Sequence, residues 1–308
     1  MELSKLEEIK DLRKIWPKED IDFTRWLAKE ENINLLGDTC GINIVVEKVE
    51  ESVGPYRCDI YAKDTANNKI IIENQLEKTD HDHLGKLITY ASGKDAKTVI
   101  WIAKDTIEQH RQAIEWLNKN TGEDINFFLI EIKLYKIDNS NPAVKFEIIE
   151  QPNDWGKSMK AQDNVSTPTE TARKGYWNMF NEYAFSNDNE FSKKFNKRRP
   201  STDHWMDLSV GSSAYHISVT QVRKENKLGV EWYISNNKEI YNKLYSKKEE
   251  IEKELGFSVE WMPLVDKKAS RIITYYKTDF EDRNAYPEQF QWIMNTAVKM
   301  KDVIKKYI

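Results

Sequence analysis

Residues 57–76 alternate between polar and apolar positions. Arg57, Asp59 and Tyr61 fall on one side of an extended segment, and Cys58, Ile60 and Ala62 on the other. After a polar turn containing Asn67 and Asn68, Ile71, Glu73 and Gln75 alternate with Ile70, Ile72, Asn74 and Leu76. A period of two marks half-buried strands, and the turn residues join them into a hairpin. Antiparallel pairing then brings Asp59 and Glu73 side by side on one face. A helix follows, capped by Thr79 or Asp80 and closed by Gly93. Asp82, Lys86 and Tyr90 recur every four residues along one of its faces, while Leu84, Leu87, Ile88 and Ala91 line another.

The same reading extends outward in both directions. Residues 2–14 are expected as a short helix or arm. Two helical pieces come next, the first capped by Asp22 or Thr24 and the second ended by Gly37. Residues 42–50 alternate as a strand. Thr98 to Lys104 is a nearly unbroken apolar run, as in an interior strand; residues 108–120 read as a helix with Ile114 and Leu117 inward, and residues 125–137 as another strand. A strand, helix and strand of this length favour a parallel crossover. Residues 1–150 therefore form an α/β domain, a mixed sheet flanked by helices. The pattern breaks over residues 151–171, a polar stretch with prolines at 152 and 168 that reads as a linker. Residues 172–308 resume with an amphipathic helix, strands near 204–210, 213–222 and 228–235, a helix over 238–255, strands near 257–263 and 270–277, and a final helix over 287–306. That order describes an α+β domain with a mainly antiparallel sheet.

Composition narrows the class. The chain has 308 residues, 39% hydrophobic and 32% charged, which suits two globular domains and not a disordered chain. No apolar run approaches the ~18 residues of a membrane span, and the charged start lacks the apolar core of a signal peptide. The two cysteines, Cys40 and Cys58, supply neither a disulfide framework nor metal-ligand spacing, so a reducing, cytoplasmic setting is expected. Residues 1–150 hold 21 Lys and Arg against 29 Asp and Glu, and the remainder 26 against 22. The acidic half carries the paired carboxylates. A polyanion's backbone is then better met by the other half, where Lys197, Arg198 and Arg199 cluster.

An acid on one strand, an acid-containing motif on the next and a helix after it resemble the PD-(D/E)XK nuclease superfamily, whose fold is restriction-endonuclease-like. Asp59 is the first acid here, and Glu73-Asn74-Gln75 the second motif, with glutamine where the family has lysine. Lys86, on the following helix, stands where that amine is sometimes relocated. Lys86 and Tyr90 also resemble the Gln-X-X-X-Tyr pattern of RecB-like nucleases. The resemblance implies a Mg²⁺- or Mn²⁺-dependent hydrolase of DNA or RNA phosphodiesters, with a defence role against foreign DNA. Asp59, Glu73 and the carbonyl of Asn74 would be the metal ligands. Gln75 would position water, Lys86 would steady developing charge, and Tyr90 would support Lys86 or touch the nucleic-acid backbone. The residue types suit the chemistry, since Mg²⁺ prefers oxygen donors and usually takes one or two carboxylates, whereas a glutamine can orient water but carries no charge. An acid from the first helix sometimes assists in this family; Glu30 and Glu31 are the candidates, with solvated surface residues as the plainer reading. The segments DHWMDLSVG, GVEWYIS, KKASRI and PEQFQWI resemble a domain of unknown function found at the C-terminus of nuclease-like chains.

Other signals are read as structural. His81 and His83 lack the four-residue spacing of helical metal ligands, and the aromatic residues Trp205, Trp232, Tyr233, Trp261 and Trp292 suit core packing better than base stacking. No P-loop, dinucleotide or zinc pattern occurs. The rival to the enzyme is a catalytically degenerate nuclease fold that binds nucleic acid or protein. Whether the chain forms a homodimer stays open.

Overall fold

A computed structural model describes residues 4–54, 56–65, 67–122, 125–152, 167–212, 214–235 and 237–308. The chain divides into two units, Met1–Val165 and Ser166–Ile308. The fold class read from the sequence holds in both: a mixed sheet flanked by helices, then a mainly antiparallel sheet with helices.

The first unit runs β1 (Leu6–Glu8), α1 (Thr24–Leu27), α2 (Glu30–Cys40), β2 (Val45–Val53), β3 (Tyr56–Lys63), β4 (Lys69–Lys78), α3 (His81–Lys94), β5 (Thr98–Asp105), α4 (Glu108–Asn120), β6 (Asn126–Ile137) and β7 (Ala143–Glu150). Its seven-stranded sheet has the order β1-β6-β5-β4-β3-β2, with β7 also on β6. β4, β5 and β6 are parallel, and β2, β3 and β7 join antiparallel. Alternation along the central strands feeds two cores. Ile70, Ile72, Ile100, Ile102 and Ile130 pack with Leu27, Ile33 and Leu36 on the side of α1 and α2. Ile71, Val99, Trp101 and Leu129 pack with Leu87, Tyr90 and Ile114 on the side of α3 and α4. Burying one such Leu or Ile side chain contributes about 1.5–3 kcal/mol, so these two stripes hold the layers together.

Several expected boundaries move. Residues 6–8 are a strand, because they find a partner on β6, Leu6 opposite Ile137. α2 continues past Gly37 to Cys40 and ends at Gly41, whose φ of 70° is the left-handed conformation glycine adopts cheaply. Gly37 is instead a close-approach site, since a Cβ there would lie 2.7 Å from the Ile42 carbonyl. α3 passes Gly93 and ends at Lys94, with Asp95 in the left-handed turn.

The second unit runs α5 (Pro168–Ala184), α6 (Glu190–Lys194), β8 (Trp205–Leu208), β9 (Tyr215–Val222), β10 (Lys227–Ile234), α7 (Lys238–Tyr245), α8 (Lys248–Leu255), β11 (Glu260–Met262), β12 (Ser270–Lys277) and α9 (Tyr286–Tyr307). Residues 153–166 of the expected linker lie outside the described residues, and residues 168–171 are already helix. Thr167 caps α5 in a reciprocal capping box with Glu170, which satisfies backbone donors that would otherwise begin a loop. The expected helix over 238–255 is two helices, broken at Ser246 and Lys247. The sheet is antiparallel in the order β11-β12-β10-β9-β8. Its apolar face packs Met206, Ile217, Val219, Val230, Trp232 and Ile272 against Phe290, Ile293, Ala297 and Met300 of α9. Trp232 is fully buried there, in keeping with its core reading.

A paired-carboxylate candidate site

The β3–β4 ladder stops at Ile60 opposite Ile72. One step further Asp59 faces Glu73, and the two side chains take over from the backbone. Glu73 Oε1 accepts the Asp59 N–H at 3.0 Å, and Asp59 Oδ2 accepts the Asn74 N–H at 2.7 Å. The other edge of β4 stays in register, with Glu73 opposite Trp101 of β5. The hairpin therefore opens at one place, with a carboxylate from each strand in the opening.

The opening has a local cause. Strict alternation would put Cys58 on the face of Ile60 and Ala62, as expected from sequence. Cys58 instead packs with Tyr90 and Trp101 on the α3 side, while Ile60 and Ala62 stay on the α1–α2 side. Opposite Asp59, in the register that pairs Val49 with Ile60 and Glu51 with Cys58, Glu50 of β2 has φ 57°. A non-glycine residue in that region marks a local break in strand geometry, and here the face alternation slips with it.

Burial sets the electrostatics. Glu73 is only 2% exposed. Burial pushes its carboxyl up to about 9, helped by the charge of Asp59 beside it. Burial likewise pushes Asp59 up to about 7, against the Asn74 N–H bond and with the charges of Glu50 and Glu19 adding to the rise. The two titrate as a pair, and the desolvated pair keeps a proton more tightly than free carboxylates do. Tyr90, buried behind them, has its hydroxyl raised to about 12 by burial and then by Glu73, which keeps it neutral.

In the folded state both carboxyls have raised pKa values, so the folded protein binds more protons than the unfolded chain above pH ~4. Their stabilising contribution is complete below that point and is lost as pH rises towards about 9. Metal-free protein should melt lower at pH 8.5 than at pH 5.5. Burial holds His110 below its ordinary value and acts in the opposite sense near pH 6. The informative quantity is thus the difference from an Asp59→Asn/Glu73→Gln variant measured in parallel. A variant with the same pH slope as wild type would show that these carboxyls are well hydrated.

Lys86 pairs with Asp82 at 2.8 Å one turn back and is a third exposed; that bond foremost raises its pKa, with Tyr90 and Glu73 adding to the rise. The Asn74 side chain turns away to donate to Thr24 Oγ1 at 2.9 Å. The Gln75 amide is engaged at both ends: Oε1 accepts Trp101 Nε1–H at 2.8 Å, and Nε2 donates to the Lys78 carbonyl at 2.8 Å and to Asp80 Oδ2 at 3.1 Å. Gln75 thus lies on the face of Ile71 and Glu73, with its amide committed to Trp101 and to the start of α3. Tyr90 is 1% exposed, too deep to touch a nucleic-acid backbone. In the second unit Lys197 is exposed and Arg199 half-buried. Arg198 is 5% exposed and its carbonyl accepts the Asn181 amide, which removes it from any open phosphate-binding surface.

Sequence reasoning missed Glu19. The turn Glu19–Phe23 leads into α1, and Glu19 Oε2 accepts the Leu76 N–H of β4 at 2.7 Å. Thr24 Oγ1 donates to the Glu19 carbonyl, so Asn74, Thr24 and Glu19 lash this turn to β4. Glu30 and Glu31 are exposed on α2. Glu19, Asp20 and Asp22 are equivalent in composition, and no periodicity separates them; only the long-range bond to β4 does. His81 and His83 serve the start of α3, His83 on Asp80 and His81 Nδ1 at 3.1 Å from His110 Nε2.

Residues 172–308 match DUF4268, a domain of unknown function. That segment covers the whole of the second sheet and its helices from within α5 onward. No curated protein matches the chain. Among solved structures it is similar to a repair endonuclease from Pyrococcus abyssi, at 14% identity and a TM-score of 0.27 over 30% of this chain and 41% of that one. It is also similar to EndoMS in an EndoMS–dsDNA2 complex, at 14% identity and a TM-score of 0.23 over 29% and 41%. The matches thus span less than half the length of either neighbour. No described helix is long and apolar enough to cross a membrane.

Proposed function

We propose that the first unit is a metal-dependent nuclease of the PD-(D/E)XK type that hydrolyses DNA phosphodiester bonds. One observation carries the reading: Asp59 and Glu73, from neighbouring strands, meet where the hairpin opens, buried enough that both resist ionisation. Buried carboxylates need a cation, a proton or an ion-pair partner. Two of them fit Mg²⁺ or Mn²⁺, which bind one or two carboxylates and keep the rest of their coordination for water and phosphate. Among the described residues no set of three His, Cys, Asp or Glu side chains is arranged to hold an ion. Asp59 and Glu73 would be its two side-chain ligands, with the Asn74 carbonyl as a further oxygen. When bound, the ion neutralises phosphate charge and lowers the pKa of its water. Lys86, whose charge is felt at both carboxyls, steadies negative charge beside them. Glu19 and Thr24 hold β4 in place from the other side.

A specific observation favours a second reading, a non-catalytic binding module. Each carboxylate already accepts a backbone N–H, Lys86 already has Asp82, and glutamine stands at position 75. Calorimetry with Mn²⁺ separates the two. The nuclease should bind Mn²⁺ and gain about 2.7 kcal/mol of stability at a hundred times the dissociation constant. Glu73→Ala should do neither, and only wild type should nick plasmid DNA. Digestion of RNA alone would move the substrate class. No Glu73-dependent Mn²⁺ binding and no cleavage would leave the module.

A further inference from the structure

Position 75 lies in the slot where a lysine would act directly, yet its side chain is built into the start of α3. We infer that Gln75 is a positioning residue, anchoring the turn that aims α3 and Lys86 at the carboxylate pair; this rests on the nuclease reading above. Both Nε2 donations land where β4 gives way to α3, on the carbonyl of Lys78 at the end of β4 and on Asp80 Oδ2. Asp80 is the N-cap, its Oδ1 accepting the His83 N–H at 2.8 Å, and the ring of His83 folds back on the same carboxylate. Gln75 Oε1 is itself fixed by the buried indole of Trp101 on β5. A rigid line therefore runs from the core strand β5 through Gln75 and Asp80 to the first turn of α3. Lys86 sits on that helix one to two turns further on. The His81–His110 contact ties the same turn to α4, so the helix start is fixed from both neighbouring elements.

The chemistry of the amide suits this task. The anchor needs an acceptor for Trp101 and two donors for two oxygens, and a neutral primary amide supplies both from one group. A lysine in its place has three donors and no acceptor, and would leave the indole N–H buried without a partner. The position then cannot take the family's usual residue without loosening α3. An error of about 1 Å in a positioned group costs about 100-fold in rate.

The test compares Gln75→Lys, Gln75→Met and Asp80→Ala with wild type for Mn²⁺-dependent nicking of supercoiled plasmid, together with amide exchange at His83, Leu84 and Gly85. A directly acting position 75 predicts faster cleavage for Gln75→Lys. The anchor predicts cleavage about 10- to 100-fold slower in all three variants, at an unchanged plasmid KM and an unchanged Mn²⁺ dissociation constant. It further predicts faster exchange confined to the first turn of α3, and a Gln75→Met/Lys86→Ala double variant no slower than Lys86→Ala alone. Gln75→Lys cleaving as well as wild type, or normal exchange in Gln75→Met, overturns it. Should wild type not cleave, the nuclease reading falls, and the exchange arm still decides the anchor. The Asp80 side chain is 46% exposed, so its variant reports even if the position 75 variants fail to fold.

Discussion

Asp59→Asn and Glu73→Gln should each abolish Mn²⁺-dependent cleavage, by about a thousandfold or more, while making the metal-free protein more stable at pH 8. The two effects have one origin. A metal held by two carboxylates supplies several kcal/mol of charge stabilisation, and each 1.36 kcal/mol is a factor of ten in rate. Without an ion, the buried Glu73 and half-buried Asp59 sit side by side, and the folded state must either desolvate a charge or hold a proton. A neutral amide of the same shape keeps the oxygen that accepts the Asp59 or Asn74 N–H and removes that cost. A gain of about 1–3 kcal/mol at pH 8 is expected, shrinking towards pH 5 as the wild-type pair takes up protons. Urea unfolding in EDTA at both pH values measures it, alongside plasmid nicking. Full activity in Asp59→Asn would sink the metal assignment. Destabilisation by several kcal/mol with no activity in wild type would mean the pair is a structural device.

What the sequence shows clearly is whatever depends on local alternation. The hairpin, the interior strand at Thr98 to Lys104 and the crossover helix follow from side chains that must face alternately inward and outward, and the structure has all three. The helix cap was legible to within one residue, Thr79 or Asp80, because capping is decided within four residues, and the structure uses Asp80. Three features were hidden, each set by distant contacts. The slip at Asp59 arises opposite Glu50, a residue on another strand with no glycine or proline to announce its left-handed backbone. Glu19 matters only because β4 ends where its carboxylate can accept the Leu76 N–H. Gln75 reads as a water-positioning residue of the site, and its partners Trp101 and Asp80 come from β5 and the start of α3, which the alternation of β4 does not announce. The run at residues 197–199 fails in the opposite way: charge in sequence suggests a surface, whereas tertiary packing buries Arg198.

Arg271→Ala should be the most damaging single polar substitution in the second unit, costing about 3–5 kcal/mol at pH 8. Glu231 is in the middle of β10, opposite Ser218 on β9 and Ile273 on β12, and is 2% exposed. The Arg271 guanidinium meets both of its oxygens, Nη2 to Oε1 at 2.8 Å and Nε to Oε2. Even with this partner, burial raises the Glu231 pKa above the ordinary carboxylate value. Removing the arginine strands the charge, and the carboxyl can escape only by taking a proton. With its folded pKa raised further, the variant retains most of its stability near pH 4–5 and loses it as pH rises, the opposite of an ordinary acid-labile ion pair. Adding Glu231→Gln should recover most of the loss at pH 8, since deleting both charges removes the desolvation cost with the attraction. Arg271→Lys should recover little, because a single ammonium cannot span both oxygens. The urea midpoint of the second unit at pH 5 and 8 reads wild type and all three variants. A loss under about 1 kcal/mol, equal at both pH values, would mean that water reaches Glu231 and that the pair is an ordinary surface ion pair.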